Sequence, residues 1–227
     1  MTRELRFYAD SADVREVSDV LARGLVHGVT TNPTILERAD RSVRDIPQLY
    51  ARWEAEGAQE IFSQAWGDSA EAMIKNAERL AALGPRVVVK VPATGDGFTA
   101  AAALVGAGAT VLVTAVYAQA QALAAATLGA RYIAPYLGRL NDSGRDGLAE
   151  ISAMQALVAG SGTDVLAASI RAPGDIVSLA MVGVPFFTAA PAVILAALSN
   201  DVSDRSAQEF EAAVARGLTD QGGSLTE

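Results

Sequence analysis

The sequence predicts an α/β fold, a single-domain (β/α)8 TIM barrel with an extra C-terminal helix. Three observations carry that prediction. Eight short apolar runs alternate with segments of helical periodicity. The 227 residues match the size of one such barrel. No Gly-rich phosphate turn follows the first run, as the runner-up, an open doubly wound dinucleotide-binding sheet, would want. No internal repeat or linker divides the chain. Residues 1–200 are expected to form the barrel, and residues 201–227 a helix and tail of the same domain, with residues 221–227 mobile.

Residues 6–10 read as the first strand, ending at Asp10, with Ser11 as N-cap of a helix striped by Val14, Val17 and Leu21. Residues 28–33 (GVTTNP) are a second strand running into a polar turn, followed by a helical region through residues 49–53. The third strand, 60–65, ends near Gln64; Asp68 then caps a helix carrying Met73, Ile74, Ala77 and Leu80 and closed by Gly84. Residues 86–92 (RVVVKVP) are the fourth, its valines suited to burial on both faces and Pro92 ending the ladder. An Ala-rich crossover helix follows Asp96.

The fifth strand is 110–115 (TVLVTA), with Thr114 at its end and an Ala-rich helix from Tyr117. The sixth is 131–136 (RYIAPY), followed by a polar loop over 137–145 that contains Arg139, then a helix through Ile151, Met154, Leu157 and Val158. The seventh, 164–169 (DVLAAS), runs into Ser169, Ile170 and Arg171; the eighth is 184–189 (VPFFTA), and helices around 193–198 and 207–218 close the chain.

Composition narrows the function. A formal charge of -8, from 18 basic and 26 acidic residues, argues against a nucleic-acid partner. There is no Cys and a single histidine, His27, so thiolate or zinc sites and a His-based triad lack their ligands and a metal site is not expected. Residues 97–130 and 176–200 carry no charge, but glycines, polar residues, Pro185 and Pro191 break both into short elements, so no membrane span is expected. The first residues lack the apolar core of a signal peptide, and a cytoplasmic location is the expectation.

The fourth strand holds the chemically unusual residue. Side chains alternate along a strand, so Val88 and Lys90 share one face and Val87, Val89 and Val91 the other. The stretch alone fits two readings: a lysine that snorkels out at the strand end, or a desolvated amine of lowered pKa. The other strand ends bear on the choice. Active sites of such barrels lie where the strands end, and there the sequence puts Asp10, Thr30 and Asn32, Gln64, Lys90, Thr114, Tyr136, and Ser169 with Arg171. Each has an ordinary structural use, such as a cap, a turn or a satisfied core hydroxyl, and loop arginines are commonly solvated surface. Together they suit covalent amine catalysis, in which a lysine forms a Schiff base with a ketone or aldehyde. In that chemistry Tyr136, Gln64 and Thr114 are candidates to hold a water, Asp10 to orient a hydroxyl or to help the carbinolamine form and collapse, and Arg139, Ser169 and Arg171 to hold a phosphate.

The runs GVTTNP (28–33), VVKVP (88–92), TAVY (114–117), APY (134–136) and LAAS (166–169) resemble the transaldolase family, in particular its small members and the fructose-6-phosphate aldolases, in order over most of the chain. The resemblance implies that Lys90 is the Schiff-base lysine and that neither a metal nor an organic cofactor is used. Implied ligands are sugar phosphates and dihydroxyacetone, with Asn32, Thr30 and Asp10 on the donor's hydroxyls. Transaldolases of the family generally carry Glu on strand three and Phe on strand six, and the aldolases Gln and Tyr. Gln64 and Tyr136 therefore favour the aldolase, with transaldolase as the alternative. Gly138 with Arg139, and Ser169 with Arg171, look like the phosphate site of the transaldolases and lean the other way. A non-catalytic phosphosugar-binding barrel is the reading from a different class. Small members form pentamers or decamers in which the C-terminal helix reaches a neighbour, so a homo-oligomer is expected.

Overall fold

The structure, a computed structural model, describes residues 4–221. Its strands are β1 (Arg6–Asp10), β2 (Gly28–Thr30), β3 (Glu60–Gln64), β4 (Val87–Pro92), β5 (Val111–Val116), β6 (Tyr132–Pro135), β7 (Asp164–Ile170) and β8 (Phe186–Ala189). Each pairs in parallel with the next, and β8 pairs with β1, closing the (β/α)8 barrel expected from the sequence. The crossovers carry α1 (Val14–Ala22), α2 (Pro33–Arg38), α3 (Ile46–Ala55), α4 (Ala70–Ala81), α5 (Gly95–Gly106), α6 (Gln119–Thr127), α7 (Leu137–Asp142), α8 (Gly147–Val158) and α9 (Pro173–Met181). After β8 come α10 (Pro191–Ala197) and α11 (Asp201–Gln221).

The two-residue period of the strands sorts the core into two layers. Val87, Val89 and Val91, with their equivalents on the other strands, pack outward against the helices. Tyr8, Phe62, Val88, Leu112, Tyr132, Ala134, Leu166 and Phe186 fill the barrel interior. Gly28 is required where β2 meets β3, because a Cβ there would lie 2.0 Å from the Glu60 carbonyl oxygen.

Three local expectations are corrected. The N-cap of α1 is Asp13, whose Oδ1 accepts Arg15 N at 2.8 Å and Glu16 N at 3.0 Å; Ser11 instead shapes the preceding turn by accepting Asp13 N at 3.1 Å. Ser69 rather than Asp68 caps α4, since it is the extended residue next to the first helical turn and accepts Ala72 N at 3.2 Å. The expected loop at 137–145 begins as α7: Leu137 and Leu140, one turn apart, are both buried, and Leu140 N donates to the Tyr136 carbonyl at 3.0 Å. The 222–227 part of the tail lies outside the described residues.

Candidate active site

The interior alternation puts the polar ends of the strands on one floor. Two residues beyond an interior apolar side chain comes a polar one: Asp10 after Tyr8, Gln64 after Phe62, Lys90 after Val88, Thr114 after Leu112, Tyr136 after Ala134 and Thr188 after Phe186. Lys90 is therefore 4% exposed and points into the barrel with Val88 beneath it. Its Nζ donates to the Thr31 carbonyl at 2.7 Å. Burial brings its pKa down from 10.5 to about 8, and the charge of Asp10 opposes that shift in part. This burial is at odds with a lysine that snorkels out at the strand end and fits the desolvated amine.

Asp10 is half-buried at the end of β1. Its Oδ1 accepts the Thr30 hydroxyl at 2.6 Å, and Thr30 Oγ1 lies 2.5 Å from Thr188 Oγ1. Burial pushes the Asp10 carboxyl up, while Lys90, the Thr30 hydrogen bond and Arg38 pull it down. Across the floor the Tyr136 and Thr114 hydroxyls are hydrogen bonded at 2.9 Å. Burial raises the Tyr136 phenol above its ordinary 10.0, so it is protonated at neutral pH. The Arg139 guanidinium lies 5.2 Å from the centre of the Tyr136 ring.

The rim is built with local strain. Ser169 has φ +56° and Ala115 φ +58°, the left-handed region, and both sit where strand register shifts at a bulge. Gly138 lets α7 lie against the end of β7: a Cβ there would stand 2.6 Å from Arg171 Nε and 2.8 Å from the Ser169 carbonyl oxygen. Arg171 is exposed and forked onto Asp142, with Nη1 to Oδ1 at 2.8 Å.

Eight of the ten residues singled out in the sequence line one cleft of about 390 Å³: Asp10, Thr30, Asn32, Lys90, Tyr136, Arg139, Ser169 and Arg171. Gln64 and Thr114 do not line it. They lie on an adjoining recess of about 210 Å³ that shares Asn32, Thr34, Tyr136 and Arg139 with it, although Gln64 is the β3 register partner of Lys90. Asn32 combines two positions: its Oδ1 caps α2 by accepting Ile35 N at 3.0 Å, and the residue lines the cleft. The sequence reading missed Thr188, Thr34 and Arg38 in the cleft wall and the Thr31 carbonyl on Lys90. Thr188 carried a usable signal, since it shares the interior face with Phe186; a backbone carbonyl carries none.

A desolvated amine, a hydrogen-bonded carboxyl, a protonated phenol and a cationic rim can together form a covalent bond to a carbonyl compound, move its protons and hold an anionic end. A family model described as "Transaldolase/Fructose-6-phosphate aldolase" matches residues 7–223. The chain belongs to this family. It is accordingly a Schiff-base enzyme of the aldolase and transaldolase kind. A "Probable transaldolase" of Cereibacter sphaeroides (strain ATCC 17025 / ATH 2.4.3) is 35% identical over 210 residues, covering 92% of this chain and 94% of the relative. One from Rhodospirillum centenum (strain ATCC 51521 / SW) is 36% identical over 211 residues, covering 92% and 90%. Among solved structures, mandelate oxidase with a difluorinated hydroxy acid aligns with a TM-score of 0.57 at 20% identity, over 84% of this chain and 66% of that one. At that identity the likeness shows the barrel fold alone. No helix among the described residues is long and apolar enough to cross a membrane.

Proposed function

We propose that this member of the family is a class I aldolase that reversibly cleaves fructose 6-phosphate to dihydroxyacetone and glyceraldehyde 3-phosphate, with no metal or organic cofactor. The observation that carries the proposal is Tyr136, a protonated phenol in the same cleft as Lys90. Neutral Lys90 adds to the C2 carbonyl, and loss of water leaves an iminium. Asp10 takes the C4 hydroxyl proton as the C3–C4 bond breaks, releasing the aldehyde and leaving an enamine on Lys90. Tyr136 supplies the proton to C3, through a water held with Gln64 and Thr114, and hydrolysis frees dihydroxyacetone and the amine. Thr30 and Asn32 serve the donor's hydroxyls, and Arg139, Ser169 and Arg171 the phosphate.

Transfer of the dihydroxyacetone unit to an aldose phosphate is the second reading. The name of the curated relatives and the Gly138, Arg139 and Arg171 rim favour it. Incubation with fructose 6-phosphate alone separates the two. Release of glyceraldehyde 3-phosphate without an acceptor supports the aldolase, and release only after erythrose 4-phosphate is added supports transfer. Borohydride in the presence of dihydroxyacetone tests the covalent step itself; ligand binding without an adduct on Lys90 would leave a binding barrel instead. The reading includes a cytoplasmic homo-oligomer, pentameric or decameric, clasped by α11, whose Val202, Phe210 and Val214 are exposed. Light scattering of a chain cut before Asp201 tests the clasp, and an unchanged mass would count against it.

A further inference from the structure

We propose that Thr188, which has no part in the steps above, is a positioning residue that sets the direction of a hydroxyl relay, Thr188 to Thr30 to Asp10. The proposal rests on Asp10 acting as the acid/base group in the functional reading. Its own support is proton bookkeeping among three close oxygens. Thr30 Oγ1 is 2.6 Å from Asp10 Oδ1 and 2.5 Å from Thr188 Oγ1, and both threonines are buried, at 1% and 3% exposed. An ionised carboxylate only accepts, so the single Thr30 proton goes to Asp10. The contact with Thr188 is then a hydrogen bond only if Thr188 donates.

This order has a consequence for Asp10. Oδ1 is pinned by a hydroxyl that is itself polarised by a second donor, which strengthens the hydrogen bond. Oδ2 has no hydrogen bond to protein among the described residues, and Asp10 lines the cleft. One oxygen is fixed and the other is left to exchange a proton with the ligand. The other titratable or charged groups acting on Asp10 are Lys90 on β4, Arg38 on α2 and Tyr136 just after β6; none of them orients Oδ1 through a hydrogen bond.

Two reciprocal variants test the relay. T188V keeps the side-chain shape and removes the hydroxyl; T188S keeps the hydroxyl and removes the methyl. The relay requires kcat of T188V to fall about threefold with KM little changed, the effect of weakening, not removing, the hydrogen bond from Thr30 to Asp10. The Asp10 titration, read by carboxyl ¹³C NMR, should move up by roughly half a pH unit, because the ionised form loses support. T188S should recover most of both. A packing role gives the opposite pattern, with T188V near wild type and T188S impaired, and that result would overturn the proposal, as would an unmoved Asp10 midpoint in T188V. Borohydride trapping on the wild type keeps the two readings apart. A shifted Asp10 midpoint in T188V with no adduct in the wild type supports the relay and sinks the aldolase.

Discussion

Lys90 Nζ is hydrogen bonded to the Thr31 carbonyl at 2.7 Å, a single backbone acceptor in an otherwise desolvated setting. The carbonyl holds the amine in place, and burial brings its pKa down to about 8 against the partial opposition of the Asp10 charge. Roughly a tenth of the lysine is then neutral at pH 7. The rate of borohydride-trapped adduct formation with dihydroxyacetone should rise with pH and level off above about 8. K90R, which stays charged, should form no adduct. A rate that is flat from pH 6 to 9 would contradict the desolvated-amine account.

The same burial predicts a stability cost. A lysine whose folded pKa lies below its unfolded value of 10.5 is a burden at neutral pH, and the wild type gains stability as pH rises from about 8 to 10.5, because there the unfolded chain still binds a proton that the folded one has released. K90M should therefore be inactive yet more stable at pH 7, by an amount on the order of 2 kcal/mol. Its advantage should shrink between pH 8 and 10.5. Denaturant unfolding of both proteins at pH 7 and pH 10 measures this.

Tyr136 donates to or accepts from Thr114 at 2.9 Å, and its protonated phenol is the group the aldolase reading uses to discharge the enamine. Y136F should leave the borohydride adduct intact and lower release of free dihydroxyacetone by about tenfold or more. Transfer to an added aldose phosphate should be spared or enhanced. Equal loss of cleavage and transfer would place Tyr136 outside this step.

The strand ends were legible because alternation along a β-strand is rigid: once Val88 is inside, so is Lys90, and the same holds for Asp10 above Tyr8. Thr188 obeys that rule too, but its neighbours, Phe187 and Ala189, make the run look wholly apolar in sequence. Residues 137–142 read as loop because Gly138, Asn141 and Asp142 are poor helix formers, yet burial of Leu137 and Leu140 outweighs their propensities. The exchange of Ser11 for Asp13 as cap is a two-residue uncertainty in where a turn ends, which local sequence does not fix. Thr31 acts through a carbonyl that every residue possesses.

Gly138 and Arg171 form a coupled pair, since the missing Cβ is what lets the guanidinium lie under α7, 2.6 Å from where that atom would stand. G138N should displace Arg171. The KM for glyceraldehyde 3-phosphate in the synthetic direction should rise about tenfold, the scale of one charge-assisted contact, while that for unphosphorylated glyceraldehyde holds. Equal changes for both aldehydes would mean that Arg171 does not touch the phosphate.

At the opposite end of the barrel, Glu60 accepts the Tyr8 hydroxyl at Oε2 and the Tyr132 hydroxyl at Oε1, both at 2.6 Å, with His27 Nε2 3.7 Å and Arg6 Nη1 3.9 Å from Oε2. This cluster closes the face away from the cleft, where barrel residues serve stability. E60Q presents an NH2 group to one of two hydroxyl donors, so it should destabilise the protein by about 1–3 kcal/mol and leave kcat unchanged. Burial and Arg6 already hold His27 below its ordinary 6.5, and Glu60 opposes that shift. Losing the carboxylate lowers the folded-state pKa further, so protonating His27 costs more in the variant. The stability deficit of E60Q should therefore widen as pH falls below 6.5. Thermal unfolding at pH 7.5 and 5.5 reads it, and a deficit that narrows on acidification would show that His27 is not coupled to Glu60.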